Sequence, residues 1–350
     1  MYSKREELEK FRKYKGPLID VRSPDEYYKG NLPNSINIPL FDNEERSIIG
    51  KIYKNNGREK AVIKGLEFVS NKIENIVDNL INAFDFYKLN NNNEKSVEPA
   101  IKIYCARGGM RSYSISWLLT KYHIKNVTLN GGYKNYRKWT LDAFKKHWDL
   151  VLLSGKTGTG KTRLLNILRE NNYQIIDLEG LACHRGSTFG SLGMKQQPSN
   201  EQFENLIAEE LKCMKKNKKI FVEAESANIG KCKIPHELFN QMKNAERLEI
   251  IKSESNRLDE LIKTYSIFEE QELIDAVLRI KKRLGPQRTK IALDSIKNKD
   301  WESVCKSVLE YYDKCYEHEK IGKTNIKTIN LTDIFDNQIA LKLIKDSFKL

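Results

Sequence analysis

The sequence predicts two α/β units in series, each built around a parallel sheet, with the second ending in a helical tail. Short apolar runs alternate with stretches of helical period. Two of those runs lead directly into glycine-containing turns that open amphipathic helices, and the alternation restarts after a polar stretch near residue 150. A length of 350 residues accommodates two such units at about 150 residues each, both large enough to bury a core.

In chain order, residues 17–21 read as a strand, 65–87 as helix, 101–104 as a second strand and 112–122 as the helix that follows it. The asparagine-rich segment 88–96 is expected as an exposed loop between helix and strand. A boundary is expected within or just before residues 141–149, which gives domains 1–140 and 141–350. Beyond it, residues 150–154, 174–178 and 220–223 read as strands and 254–316 as mostly helical. No internal repeat is visible.

Charged residues make up 31% of the chain and no apolar run is long enough to span a membrane. The N-terminus shows no basic-then-apolar leader, so a soluble, cytoplasmic protein with no membrane partner is expected. Lys and Arg total 61 against 47 acids, a net charge of +14, which suits a polyanionic partner such as nucleic acid. The six cysteines include no Cys-x-x-Cys pair, and Cys183 beside His184 has no further ligand at metal spacing. No resident metal site is expected, and chemistry at sulfur is expected to use a single thiol.

That thiol is Cys105, placed where a strand ends and a turn containing Gly108 and Gly109 opens a helix. Backbone N–H groups at a helix start favour an anion, and Arg107 and Arg111 add charge, so the setting favours thiolate over thiol. The alternative is a small buried hydrophobe at a strand end. From residue 99 to 141 there are eight Lys or Arg and no Asp or Glu, a stretch that would attract phosphate. Tyr133, Tyr136 and Trp139 fall inside it, either as stacking surfaces for a base or as ordinary packing, with Arg137 beside them.

Asp20 to Tyr27, Gly30 to Leu40, the Cys105 loop and Val127 to Gly132 together resemble the successive signatures of a rhodanese domain over about residues 8 to 140. The resemblance implies a cysteine that carries sulfur as a persulfide, with loop amides stabilising the anion. Cell-cycle phosphatases of the dual-specificity type share that fold, and Cys105 followed by Arg111 also meets their spacing. The loop is one residue longer than in simple rhodaneses, which leaves room for a bulkier oxyanion.

The second unit opens with a strand, then Gly155-Lys156-Thr157-Gly158-Thr159-Gly160-Lys161-Thr162, then an amphipathic helix. This is the Gly-x-x-x-x-Gly-Lys-Thr phosphate loop: the glycines let backbone wrap a phosphate, Lys161 bridges phosphoryl oxygens and Thr162 suits Mg²⁺. Candidate acids to hold metal or polarise a nucleophile are Asp177, Glu223 and Glu225 at strand ends, with helix caps or solvated charges as the alternative. His184, Arg185, Gly186 and Ser187 cluster after the second strand of this unit, at the sheet edge where α/β proteins bind ligands.

The rhodanese-like half, the phosphate loop and Asp177-Leu-Glu-Gly-Leu-Ala-Cys-His-Arg-Gly-Ser187 together resemble the tRNA 2-selenouridine synthase family over nearly the whole chain. Ala106 and Ala224 depart from the pattern, where a bulkier and an acidic residue are expected. The resemblance implies conversion of wobble 2-thiouridine to 2-selenouridine in tRNA through an S-geranyl intermediate, with geranyl diphosphate and selenophosphate as co-substrates. It implies catalytic roles for Cys105, Arg107, Arg111, Glu223 and Glu225, diphosphate on residues 155–162, and tRNA contacts from Gly108, Gly109, Tyr133, Arg137, Asp177, His184, Arg185, Gly186 and Ser187. No tightly bound cofactor is implied. Mg²⁺ and a selenophosphate-supplying enzyme are compatible with the scheme. The alternative reading is a P-loop ATPase or kinase fused to a sulfurtransferase or phosphatase that acts on a small molecule.

Overall fold

The computed structural model describes residues 4–91, 98–186, 189–320, 326–332 and 337–348. The chain divides into two units, Met1–Asp142 and Ala143–Leu350, both α/β. In the first, strands β1 (Lys4–Glu6), β2 (Leu18–Asp20), β3 (Ile36–Asn37), β4 (Ile101–Tyr104) and β5 (Asn126–Leu129) form a parallel sheet in the order β1-β5-β4-β2-β3. Apolar residues of these strands and of the helices against them sit in two clusters, one with Ile19, Ile103 and Leu119, the other with Phe11, Val127 and Tyr136. β4, Ile-Lys-Ile-Tyr, buries Ile101, Ile103 and Tyr104, with the partly buried Lys102 between them.

The helix expected over 65–87 is two helices, Arg58–Ser70 and Ile73–Asn90, divided at Asn71 and Lys72. The start of the expected 88–96 loop continues the second helix to Asn90, and residues 92–97 lie outside the described residues. Helix Asn43–Asn56 precedes them, opened by an Asp42–Glu45 capping box in which Asp42 accepts from the Glu45 amide at 2.8 Å.

In the second unit, β6 (Leu150–Ser154), β7 (Gln174–Ile176) and β8 (Ile220–Glu223) are joined by a short antiparallel pair, β9 (Asn228–Ile229) with β10 (Cys232–Lys233), then by β11 (Glu246–Ile251) and β12 (Ile326–Asn330). The main sheet is parallel in the order β12-β11-β6-β8-β7. From β6 the chain passes to β7 at the sheet edge, returns to β8 beside β6, then crosses to β11 on the other side. The carboxyl end of β6 is thus a topological switch point, the position where open α/β sheets bind ligands. In the first sheet β4 stands beside β2 in the same relation, so Cys105 also leaves a central strand end. The region 254–316 is helical as expected, in helices Glu254–Tyr265, Glu270–Leu284, Pro286–Lys297 and Trp301–Lys320. Among the described residues no helix is long and apolar enough to cross a membrane.

Candidate functional site

Cys105 leaves β4 and begins a loop that ends where Gly109 caps helix Met110–Lys121. The loop is braced from behind by the start of the next helix: the Tyr133 amide donates to the Cys105 carbonyl at 2.8 Å and the Lys134 amide to the Ala106 carbonyl at 2.9 Å. Gly132 has no room for a side chain, because a Cβ there would lie 2.2 Å from the Cys105 oxygen and 2.4 Å from the Gly108 nitrogen. Among the described residues the N–H groups of Ala106, Arg107, Gly108 and Gly109 donate to no other group, which leaves a row of amide donors at a helix start. Arg107 is exposed and has no ion pair among the described residues.

The thiol itself lies deep. Cys105 is 3% exposed, its Sγ is 3.2 Å from Ser112 Oγ, and it packs with the apolar cluster of Ile19, Ile103 and Ile115. Its side chain packs in the core while the loop that follows keeps free amides.

Two expected ligands serve other purposes. Arg111 is held by Glu26 through Nη1 at 2.6 Å and Nη2 at 3.2 Å, so its charge is neutralised within the unit and it positions the loop's helix rather than waiting for an anion. Tyr133 is buried, stacked near Tyr104 at 6.5 Å between ring centroids, with the Arg22 guanidinium 3.8 Å from its ring. Its ring therefore serves the core and is closed to a base. Tyr136 is likewise buried. Arg22 in turn pairs with buried Asp20 at 2.6 Å.

Burial pushes the Glu26 carboxyl up, but the hydrogen bonds and charge of Arg111, the Ser23 amide and Arg46 outweigh it and hold the pKa down, at about 2. A carboxylate depressed on folding contributes stability above its unfolded pKa, and that contribution is lost as pH falls from about 4.5 to about 2. Glu26→Gln is expected to cost roughly 1.5–3 kcal/mol at pH 7. The gap from the parent protein should close on acidification through that window. Denaturant melts at pH 7 and at low pH check this, and a gap that persists in acid would contradict it.

In the second unit the phosphate loop joins β6 to helix Lys161–Glu170. Gly158 and Gly160 have φ of +82° and +83°, a region side chains disfavour. The N–H groups of Thr157, Gly158 and Gly160 donate to no other group among the described residues, and Lys161 Nζ lies 3.0 Å from the Gly155 carbonyl across the loop. The helical tail fixes the outer side of this loop. Arg257 donates to the Thr157 carbonyl at 2.9 Å and makes a two-point ion pair with Asp313, which also lies 3.6 Å from Lys156.

Thr162 Oγ1 donates to Glu223 Oε1 at 2.8 Å and lies 3.4 Å from Glu179 Oε2. Glu223 is fully buried at the end of β8, opposite Leu153 of β6. Burial first and the mutual repulsion of neighbouring carboxylates second push both Glu179 and Glu223 up, to about 8. Glu179 is the functional candidate that the sequence reading missed, although it stands two residues after Asp177 at the same strand end. Lys252 is another: its Nζ borders Gly160, where a Cβ would lie 3.3 Å away, and burial lowers its pKa.

Asp177 caps helix Leu178–Ala182 by accepting from the Gly180 amide at 2.7 Å, so its carboxylate is engaged in the cap. Glu225 lines the site, and Gly186 fits between it and Glu179, with a Cβ there lying 2.7 Å from an oxygen of each. Arg185 donates to the Leu192 carbonyl at 2.9 Å and also lines the site. His184 is buried with Nδ1 unpartnered among the described residues, and burial followed by Arg279 lowers its pKa, so it is neutral at pH 7. Ser187 lies outside the described residues. The phosphate loop, Glu179, Arg185, Gly186, Glu225 and Arg283 surround a cavity of about 980 Å³ within this unit.

The oxygens near Thr162 fit a divalent cation: Glu223 Oε2 is buried without a hydrogen-bond partner among the described residues, beside a second carboxylate and a hydroxyl. Both carboxyls are pushed up to about 8, so a cation would bind here by displacing their protons.

Comparison with known families agrees with this two-part layout. A model described as the tRNA 2-selenouridine synthase AAA domain matches residues 148–336, and one described as a rhodanese-like domain matches residues 4–138. A tRNA 2-selenouridine synthase of Nitrosomonas europaea is 35% identical over 71% of this chain, and the match spans 63% of that relative's length. One of Pseudomonas putida is 32% identical over 88% of this chain and 90% of the relative. The solved tRNA isopentenylpyrophosphate transferase of Bacillus halodurans aligns at 11% identity and a TM-score of 0.35, covering 58% of this chain and 97% of that one.

Proposed function

The chain belongs to the tRNA 2-selenouridine synthase family, and from that premise we propose that it converts wobble 2-thiouridine of tRNA to 2-selenouridine through an S-geranyl intermediate. The observation that carries this reading is that two loops keep unspent amide donors suited to an anion, the one after Cys105 and the phosphate loop.

The first step belongs to the phosphate loop. The thiouridine sulfur attacks C1 of geranyl diphosphate, an S–C bond forms, the C–O bond breaks, diphosphate leaves and the N3 proton is lost. Lys161, the free loop amides and Lys252 neutralise the departing diphosphate. Thr162 and Glu223, with Glu179 nearby, would hold Mg²⁺, which would supply further charge neutralisation.

The second step belongs to the Cys105 loop. Selenium replaces the alkylated sulfur at C2, geranyl thiol leaves, and hydrolysis of the P–Se bond releases phosphate. An S-alkyl group leaves far more readily than a thiocarbonyl sulfur does, which gives the first step its purpose. Arg107 and the 106–109 amides bind the selenophosphate anion; the Cys105 thiolate adds to C2 as the C2–S bond to geranyl thiolate breaks, and selenophosphate selenium then forms the C2–Se bond as the Cys105–C2 bond breaks and the thiolate is regenerated. Intact-protein mass after mixing with geranylated RNA checks for the nucleotide joined to Cys105. Arg137 and the exposed Lys134 and Lys138 hold tRNA phosphates.

The test is mass spectrometry of tRNA nucleosides after incubation with geranyl diphosphate and selenophosphate. Conversion of 2-thiouridine to 2-selenouridine is expected, and RNA-independent ATP turnover without that conversion would refute the reading. Binding through phosphates also predicts that tRNA affinity falls more than about tenfold between 50 and 200 mM salt. A flat profile in filter binding would contradict it.

A further inference from the structure

The first unit carries an apolar groove that neither step uses. It has a volume of about 750 Å³ and runs between helices Asn43–Asn56, Arg58–Ser70 and Met110–Lys121. The first of these helices contains no buried residue although it carries Ile48, Ile49 and Ile52, and the second buries only Ala61 and Gly65. Leu66 at 65% exposure and Trp117 at 53% line the groove beside Tyr53 and Val62. Apolar surface on this scale in a strongly charged protein marks a binding site.

Two further observations say what it binds. One end of the groove is formed by Met110 and Arg111, the residues directly after Gly109, so it opens beside the Cys105 loop. Its rim is cationic: Arg46 and Arg58 line it, Arg46 lying 3.6 Å from Glu26, and exposed Lys51, Lys54 and Lys60 stand on the same two helices. Arg58 has no carboxylate partner among the described residues, its contact being Met110 Sδ at 3.6 Å. An apolar channel within a cationic rim complements an aliphatic chain attached to a polyanion.

We infer that this groove seats the isoprenoid chain of the S-prenylated anticodon nucleotide while the rim cations hold adjacent RNA phosphates. The inference rests on the prenylated intermediate proposed above. It gives the first unit a means to select alkylated tRNA over unalkylated 2-thiouridine tRNA, and it holds the leaving geranyl thiol beside the loop where exchange takes place.

The test is the binding of two chemically synthesised anticodon stem–loops to the full chain, identical except for an S-geranyl group on the 2-thiouridine. The geranylated RNA is expected to bind at least about tenfold more tightly. Leu66→Glu and Trp117→Ser, both at exposed positions, should each remove most of that preference, and Leu66→Met should retain it. Equal binding of the two RNAs by the parent protein, or a preference that survives both substitutions, would overturn the inference. So would a groove that serves a membrane, seen as Leu66-dependent binding to phosphatidylglycerol vesicles with no preference between the RNAs. Because the geranylated RNA is supplied ready-made, these outcomes are independent of geranyl transfer. The function proposed above fails separately, if the parent protein does not alkylate 2-thiouridine tRNA with geranyl diphosphate.

Discussion

Cys105→Ala is expected to lower 2-selenouridine formation by at least about a thousandfold while geranyl transfer continues, so that S-geranyl-2-thiouridine accumulates. The substitution removes one sulfur from a site already packed by Ile103 and Ile115, which costs about 1 kcal/mol and leaves the 106–109 amides in place. Those amides are fixed by backbone bonds from Tyr133 and Lys134, not by the thiol. Loss of activity would therefore report chemistry at sulfur. Nucleoside mass spectrometry checks it, and undiminished 2-selenouridine would remove Cys105 from the mechanism.

Lys161→Ala is expected to lower geranyl transfer by at least about a hundredfold, the scale typical of losing one charge-stabilising donor at a leaving group. Its ammonium contacts the Gly155 carbonyl, and the loop is otherwise held by Arg257, Asp313 and Lys156, so the fold should persist. Circular dichroism confirms the fold, and chromatography of geranylated nucleoside gives the rate. Normal geranyl transfer in the variant would refute the diphosphate role.

What was legible in the sequence is what local chemistry determines. The strands at 101–104, 150–154 and 220–223 are short, mostly apolar runs that end in chemically distinctive loops, and the structure has strands over the same residues. Strand β11 was missed because Arg247 and Glu249 interrupt its apolar residues, yet both are buried, and Tyr316 donates to Glu249 at 3.2 Å. The break at Asn71 and Lys72 carries no Gly or Pro to signal it.

In the candidate site, the members of each loop were readable and their partners were not. Glu26 lies 85 positions before Arg111, and no periodicity links them. Glu179 gains significance only when β7 and β8 pair and bring it within reach of Thr162 and Glu223. Tyr133 looked available because its neighbours are cationic, but Arg22 from the other end of the unit covers its ring.

The central claim is that alkylation and exchange are performed by different loops acting in sequence. It is tested most directly by supplying Lys161→Ala with selenophosphate and an anticodon stem–loop that already carries S-geranyl-2-thiouridine. The account predicts 2-selenouridine at a rate within about twofold of the parent protein, because the impaired step has been bypassed. Failure of this variant to convert the ready-made intermediate, with its fold intact, would contradict it.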